Sequence, residues 1–267
     1  MTMMLYLLAG ALAGLLGGLL GVGGGLVIVP ALVFSFHAQQ FAPEVLTHMA
    51  IGTSLATIIL TSISSIKAHH EHGAVRWELV KDIAPGIVLG TLTGAAFAHL
   101  LQGRTLQLAI GVFAILMGLQ MWAGWKPATK NTTTKVLPGR TGLITGGGLI
   151  GTASAIFGIG GGSLTVPWLS HYGVRMQEAV ATSSACGLAI ALSGTAGFIL
   201  TGWHAAHLPA YSLGYVYLPA FVGISVTSML FARVGAKLAH RLPAATLKKT
   251  FALLLIIVGS QFVFGMH

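Results

Sequence analysis

Apolar residues in this chain come in long blocks with few polar interruptions, at 45–66, 82–101, 105–125, 179–200, 210–232 and 244–264. A helix of about 20 residues rises ~30 Å, the thickness of a bilayer's hydrocarbon core, so each block predicts one membrane crossing. Two further blocks, 5–36 and 141–172, are longer and are broken inside by glycine. The breaks read GVGGGLVIVP at 21–30 and GIGGGSLTVP at 158–167.

Composition sharpens the class. Of 267 residues, 55% are hydrophobic and only 7% charged, with a mean hydropathy of +0.86. No soluble globular surface has that make-up, so the chain is an integral, all-α polytopic membrane protein in contact with lipid. Its net charge of +9 would suggest nucleic acid as a partner in a soluble protein. Here Lys and Arg gather in the short loops between blocks, and no basic stripe with interleaved aromatics exists, so nucleic acid is excluded. A single cysteine, Cys186, rules out an intramolecular disulfide and reads as a helix-packing residue. The opening MTMMLYLLAG has no basic n-region and is expected to be a membrane segment rather than a cleaved signal.

The chain repeats itself. Residues 14–30 align without gaps on 151–167, AIGTS at 50–54 on AVATS at 179–183, Pro85 on Pro219, and MGLQ at 117–120 on VGSQ at 258–261. This divides the protein into an N-terminal membrane repeat, 1–125, a cytoplasmic linker, 126–140, and a C-terminal membrane repeat, 141–267, which together form one transport domain. If every long block crosses once, the basic residues divide evenly between the two sides. If 141–172 enters, breaks at its glycines and returns, every one of the 14 Lys and Arg residues except Arg104 falls on one side. The positive-inside rule selects the second arrangement. Each half then has an odd number of full crossings, so the expected fold is two inverted-topology repeats, each a Gly-broken re-entrant helical hairpin plus three full transmembrane helices. Trp77, Trp122, Trp125, Trp168 and Trp203 fall near expected span ends, as an aromatic belt requires.

Backbone polar groups must be satisfied in hydrocarbon, so a mid-membrane break survives only where it faces protein or a water-lined cavity. Residues 26–36 and 163–172 each make half a crossing, placing Gly23, Gly24 and Gly25, and Gly160, Gly161 and Gly162, near the midplane. The first N–H groups of each half-helix lack intrahelical acceptors and sit at the positive dipole end, so each break is a ready site for an anion. Hydroxyls follow on the next helix of each half, Thr53 and Ser54, and Thr182 and Ser183, with Ser163 inside the second break. The expected substrate site joins these glycines and hydroxyls. Gln120 and Gln261, duplicated in the last helix of each half, are expected to support it from behind. Gly10, Gly14, Gly90 and Gly94 belong instead to small-xxx-small packing motifs.

At these residues the sequence resembles the TauE/SafE sulfite-exporter family, through both G(V/I)GGGxxxVP elements, the A-x-x-TS segments and HEHGAVRW at 70–77. The second half departs from the first in Ser163 for Leu26 and Ala181 for Gly52. The resemblance implies a secondary transporter, by the family's name an exporter, of sulfite, thiosulfate, sulfoacetate or related organosulfonates across a prokaryotic cytoplasmic membrane. It names no coupling ion, proton or sodium, and leaves homo-oligomerisation open.

Other chemistries fit less well. HHEH at 69–72 lacks a second ligand cluster and no HExxH exists, so no metal site is expected and the cluster reads as a solvated loop. The glycine runs match neither nucleotide-binding pattern, and no cofactor is expected. Glu44 and Glu178 sit at helix starts and no Asp or Glu lies deep in a span, leaving proton coupling without a carboxylate; His48 and His99 lie near span ends. An intramembrane enzyme needs a nucleophile with its base or paired ligands, and neither is found, so no catalytic residue is expected. An anion channel of similar architecture remains the alternative to a carrier.

Overall fold

The computed structural model describes residues 2–20, 24–70, 73–123, 137–239 and 244–264. Its helices in chain order are α1 (Thr2–Leu20), α2 (Gly25–Ala38), α3 (Pro43–His70), α4 (Trp77–Leu100), α5 (Gly103–Trp122), α6 (Arg140–Phe157), α7 (Gly162–His171), α8 (Met176–Gly202), α9 (Leu218–Ala239) and α10 (Ala244–Phe264). Four of them, α3, α4, α5 and α8, are long and apolar enough to cross a membrane; α1, α2, α9 and α10 contain shorter apolar stretches. The chain is an all-helical polytopic membrane protein.

Both glycine-rich elements break the helix where expected. α2 starts at Gly25 and α7 at Gly162, each carrying its motif proline inside, Pro30 and Pro167. A proline there removes the N–H that would bond the carbonyl four residues earlier, so the first turn of each half-helix keeps a carbonyl without an intrahelical donor. The expected crossing 210–232 is corrected. Residues 212–217 form a two-residue antiparallel strand pair, Ser212–Leu213 with Val216–Tyr217, and α9 begins only at Leu218. Gly214 takes the left-handed conformation (φ 54°) that turns the chain, and Pro219 suits the first turn of a helix. Pro85 by contrast lies well inside α4, so the two prolines do not occupy equivalent helix positions.

Contacts sort the helix termini into two ends. At one, Arg76 pairs with Glu178 at 3.7 Å and Arg140 with Asp82 at 3.6 Å, which gathers the starts of α4, α6 and α8. At the other, Gln39 Nε2 donates to Tyr6 Oη at 2.7 Å, Phe41 stands edge-on to Tyr217 at 5.2 Å, and His99 Nδ1 lies 3.1 Å from Tyr215 Oη. That end collects the start of α1, the end of α2, the start of α3, the end of α4 and the 203–217 segment. Thus α1–α2 leaves and returns at the His99 end, and α6–α7 leaves and returns at the Arg76 end, where Trp168 packs on Gly146.

Packing follows an exchange rule. α1 lies along α9 and α6 along α4; α3 packs on α8 and α5 on α10; α2 covers α3 as α7 covers α8. Small residues make the closest seams. A side chain at Gly10 or Gly14 would strike Ile224, Thr227 or Ser228, and one at Gly90 or Gly94 would strike Gly148 or Thr152. The packing expected of those four glycines is what they do, since backbones approach closely only where no Cβ intervenes.

Candidate functional site

The two breaks meet inside the protein. A Cβ added at Gly25 would lie 2.7 Å from the Gly158 carbonyl oxygen and 2.9 Å from Ile159 Cα. Helix α3 holds this junction. Ser54 Oγ donates to Gly158 O at 2.9 Å, and one turn further Ile58 reaches Gly25. Ser54, Ile58 and Ser62 are spaced by four, so they share the α3 face that looks onto both breaks.

Each break turns differently. In the first, Gly24 carries the left-handed conformation (φ 74°) and caps α2. In the second, Gly158 carries it (φ 65°) at the end of α6, while Gly161, the counterpart of Gly24, is right-handed at φ −53°. Gly24, Gly25, Gly160, Gly161 and Gly162 are all buried. Gly23 lies outside the described residues.

The hydroxyls sort into two groups. Thr53 Oγ1 accepts the Tyr217 N–H at 2.9 Å, and Thr182 Oγ1 accepts the Arg76 N–H at 3.1 Å. Both tie the backbone at a helix entrance to the neighbouring half. Ser54 is committed to Gly158. Ser183 and Ser163 are different: both are buried, and neither hydroxyl has a hydrogen-bond partner among the described residues. The same holds for Thr165 in the first turn of α7 and for Ser154 on α6.

Three of these hydroxyls lie on α7 or on α8, the helix that packs against it. Ser163 and Thr165 belong to its first turn. Gly161, its cap, packs on α8 so closely that a Cβ there would lie 2.8 Å from Ile190 Cδ1 and 3.7 Å from Gly187 N. Ser183, Gly187 and Ile190 are spaced four and three apart, which puts Ser183 on that same face of α8. From the other side, Ser62 Oγ would stand 3.5 Å from a Cβ at Gly187. A buried hydroxyl without a partner costs about 1–3 kcal/mol, and Thr195, Ser212 and Ser225 carry the same cost elsewhere in the described residues. The start of α7 offers hydroxyl donors and its first N–H groups.

The expected set is therefore only partly drawn together. Thr53 and Thr182 brace the fold, and Gln120 and Gln261 are exposed on α5 and α10 rather than packed behind the breaks. Their helices pack on each other through Gly111, Gly118 and Gly259, which turns both glutamines outward. Thr165, Ser154 and Ser62 were not expected. Thr165 could have been found by reading the halves against each other, since it replaces Ile28 as Ser163 replaces Leu26. In the HHEH segment, Trp77 Nε1 donates to His70 Nδ1 at 3.4 Å, while Glu71 and His72 lie outside the described residues.

Broken helices that bury hydroxyl side chains inside a polytopic helical fold suit a membrane transporter. The sulfite exporter TauE/SafE family model matches residues 6–262, and the chain belongs to that family. It is 41% identical over 257 residues to a probable membrane transporter protein of Haemophilus influenzae, covering 96% of each chain. It is 28% identical to the probable membrane transporter protein YunE of Bacillus subtilis, over 99% of this chain and 98% of that one. A probable membrane transporter protein of Xylella fastidiosa is 29% identical over 94% of this chain and 91% of its own length. No solved structure matches the chain.

Proposed function

We propose that the protein is a secondary carrier, working as an exporter, of sulfite or a related small sulfur-containing anion such as thiosulfate, sulfoacetate or another organosulfonate, across a prokaryotic inner membrane. The observation that carries this reading is the buried, unpartnered hydroxyls of Ser163 and Thr165 in the first turn of α7 and of Ser183 on α8, which packs against it. Hydroxyl and backbone N–H donors bind oxyanions without needing a fixed counter-charge, and a buried helix start adds a favourable dipole. The family's name supplies the sulfur oxyanion as the ligand.

The two halves act as inverted repeats in this reading. Support comes from the recurring motifs, from the exchange rule in helix packing, and from hairpins that open at opposite ends. Access alternates as one half moves against the other around the glycine junction, the behaviour expected of broken-helix carriers. The Arg76 end is cytoplasmic, since all Lys and Arg except Arg104 are assigned to it by the charge count.

The test is flux into proteoliposomes across sulfite, thiosulfate, sulfoacetate, sulfate and chloride. Saturable movement of one or more sulfur anions, lost in the Ser163→Ala/Ser183→Ala double variant, is expected. No movement of any sulfur anion, or movement as electrical current without saturation, would falsify the carrier reading.

A further inference from the structure

At the His99 end, between the start of α3, the junction of α4 with α5 and the 203–217 segment, lies a cavity of about 630 Å³. Its wall concentrates hydrogen-bond donors in a chain that is only 7% charged: the imidazoles of His99 and His207, the Arg104 guanidinium, the Gln102 amide and the Tyr215 phenol, with the His48 ring behind them. One carboxylate, Glu44, shares the lining. The starts of α3 and α5 also line it, at Pro43 to Val45 and at Gly103 and Arg104, which adds the positive ends of two helix dipoles.

This wall is built, not incidental. His48 is 3% exposed and its ring sits between two carbonyls, Nδ1 3.1 Å from Glu44 O and Nε2 2.9 Å from Ala98 O. The ring also stacks on Tyr215, centroids 5.1 Å apart, and Tyr215 Oη meets His99 Nδ1 at 3.1 Å. Burial pushes the Tyr215 phenol above its usual ionisation range, so it stays a hydroxyl at neutral pH. His207 sits in the left-handed conformation (φ 63°), a region that histidine enters more readily than most residues. His48 precedes Ser54 by six residues on α3, about 9 Å along the helix axis, and Ser54 touches the second break.

We propose that this cavity is a vestibular binding site for a small oxyanion, separate from the hydroxyls at α7, where the transported anion is held before it enters or after it leaves the membrane interior. The assignment rests on the anion-carrier reading for its ligand class. Arg104 is the single Lys or Arg assigned to this side of the membrane, and with the His99 and His207 imidazoles it offers N–H donors to an anion, while Glu44 balances the guanidinium charge. The volume exceeds that of an oxyanion several-fold, so the anion keeps part of its hydration and exchanges quickly. Glu44 opposes binding and sets an upper limit on residence.

The experiment titrates sulfite, and in parallel sulfate and thiosulfate, into the full-length protein in lipid nanodiscs by calorimetry. It then measures the KM and turnover of flux in proteoliposomes. Wild type is expected to bind two anions per chain. His99→Gln/Arg104→Gln should weaken one site about tenfold and raise KM about as much with turnover unchanged, whereas Glu44→Gln should tighten the same site severalfold. Opposite signs from neutralising opposite charges are not a signature of altered folding, and Arg104→Gln alone provides the reading if the double variant fails to insert. Affinities and KM equal to those of wild type in these variants overturn the vestibule. So does a wild type with one site that only Ser163→Ala/Ser183→Ala removes. If that second variant instead leaves both sites and turnover intact, the binding role of the α7 hydroxyls falls and the vestibule stands. A wild type that binds none of the three anions overturns both.

Discussion

The Ser54 hydroxyl donates to the Gly158 carbonyl at 2.9 Å, joining residues 104 positions apart through a fully buried bond. The bond fastens the first long helix of one half to the break of the other. Ser54→Ala leaves that carbonyl buried and unsatisfied, at a cost of about 1–3 kcal/mol. A clear fall in the thermal unfolding midpoint of the detergent-solubilised protein is the expected result. An unchanged midpoint would mean that the junction finds another donor.

Ser183→Ala and Ser163→Ala should behave oppositely. Each removes a buried hydroxyl that has no partner among the described residues, so stability should hold or rise slightly. Sulfite binding should weaken about tenfold for each lost donor, at ~1.4 kcal/mol per decade. Loss of stability with binding intact would assign these hydroxyls to packing.

Gly158→Ala forces a Cβ into a left-handed backbone, costing about 1–2 kcal/mol, and within 2.7 Å of Val29 Cγ2. It should destabilise the protein. Gly24→Leu combines the same conformational cost (φ 74°) with an approach to the Ala13 carbonyl at 3.0 Å. Gly161, at φ −53°, has no such backbone strain. Gly161→Leu should therefore abolish flux while the protein still inserts, measured by uptake per mole of protein recovered in the vesicle. Wild-type flux in both leucine variants would remove the breaks from the transport path.

Thr53→Val and Thr182→Val each strip the acceptor from a backbone N–H, that of Tyr217 or of Arg76. Each should cost about 1 kcal/mol in stability, with serine at either position restoring most of it. The KM for sulfite should stay within about twofold, since one decade requires ~1.4 kcal/mol of binding. A larger rise in KM without destabilisation would return these threonines to the binding site.

Cysteines introduced by Arg140→Cys and Arg175→Cys, in a Cys186→Ser background, should label from the same side of the membrane. Both arginines are exposed, and the pairs Arg140–Asp82 and Arg76–Glu178 bring both segments to the start of α4. These half-exposed ion pairs mark geometry more than they stabilise it, since such pairs contribute less than about 1 kcal/mol. Labelling from opposite sides would undo the returning α6–α7 hairpin and the inverted arrangement with it.

Much of the architecture was legible along the chain because the membrane imposes it locally. Hydrocarbon thickness sets block length, and three glycines with a proline five residues on weaken a helix locally, so the starts of α2 and α7 fell where the motifs placed them. The segment 210–217 was misread because its apolar residues serve a turn. Hydropathy records burial but not the left-handed Gly214 that reverses the chain there.

The site divided differently. Sequence marked out the glycine breaks and the TS pairs, since both recur, and recurrence needs no coordinates. Which hydroxyl is spent on structure and which is left over depends on partners more than a hundred residues away: Tyr217 for Thr53, Arg76 for Thr182, Gly158 for Ser54. Only tertiary structure could decide that, because a hydrogen bond is set by distance and direction between groups that chain order does not relate. The same cause hid the His48–Tyr215–His99 wall, assembled from three separate segments that share neither a motif nor a period.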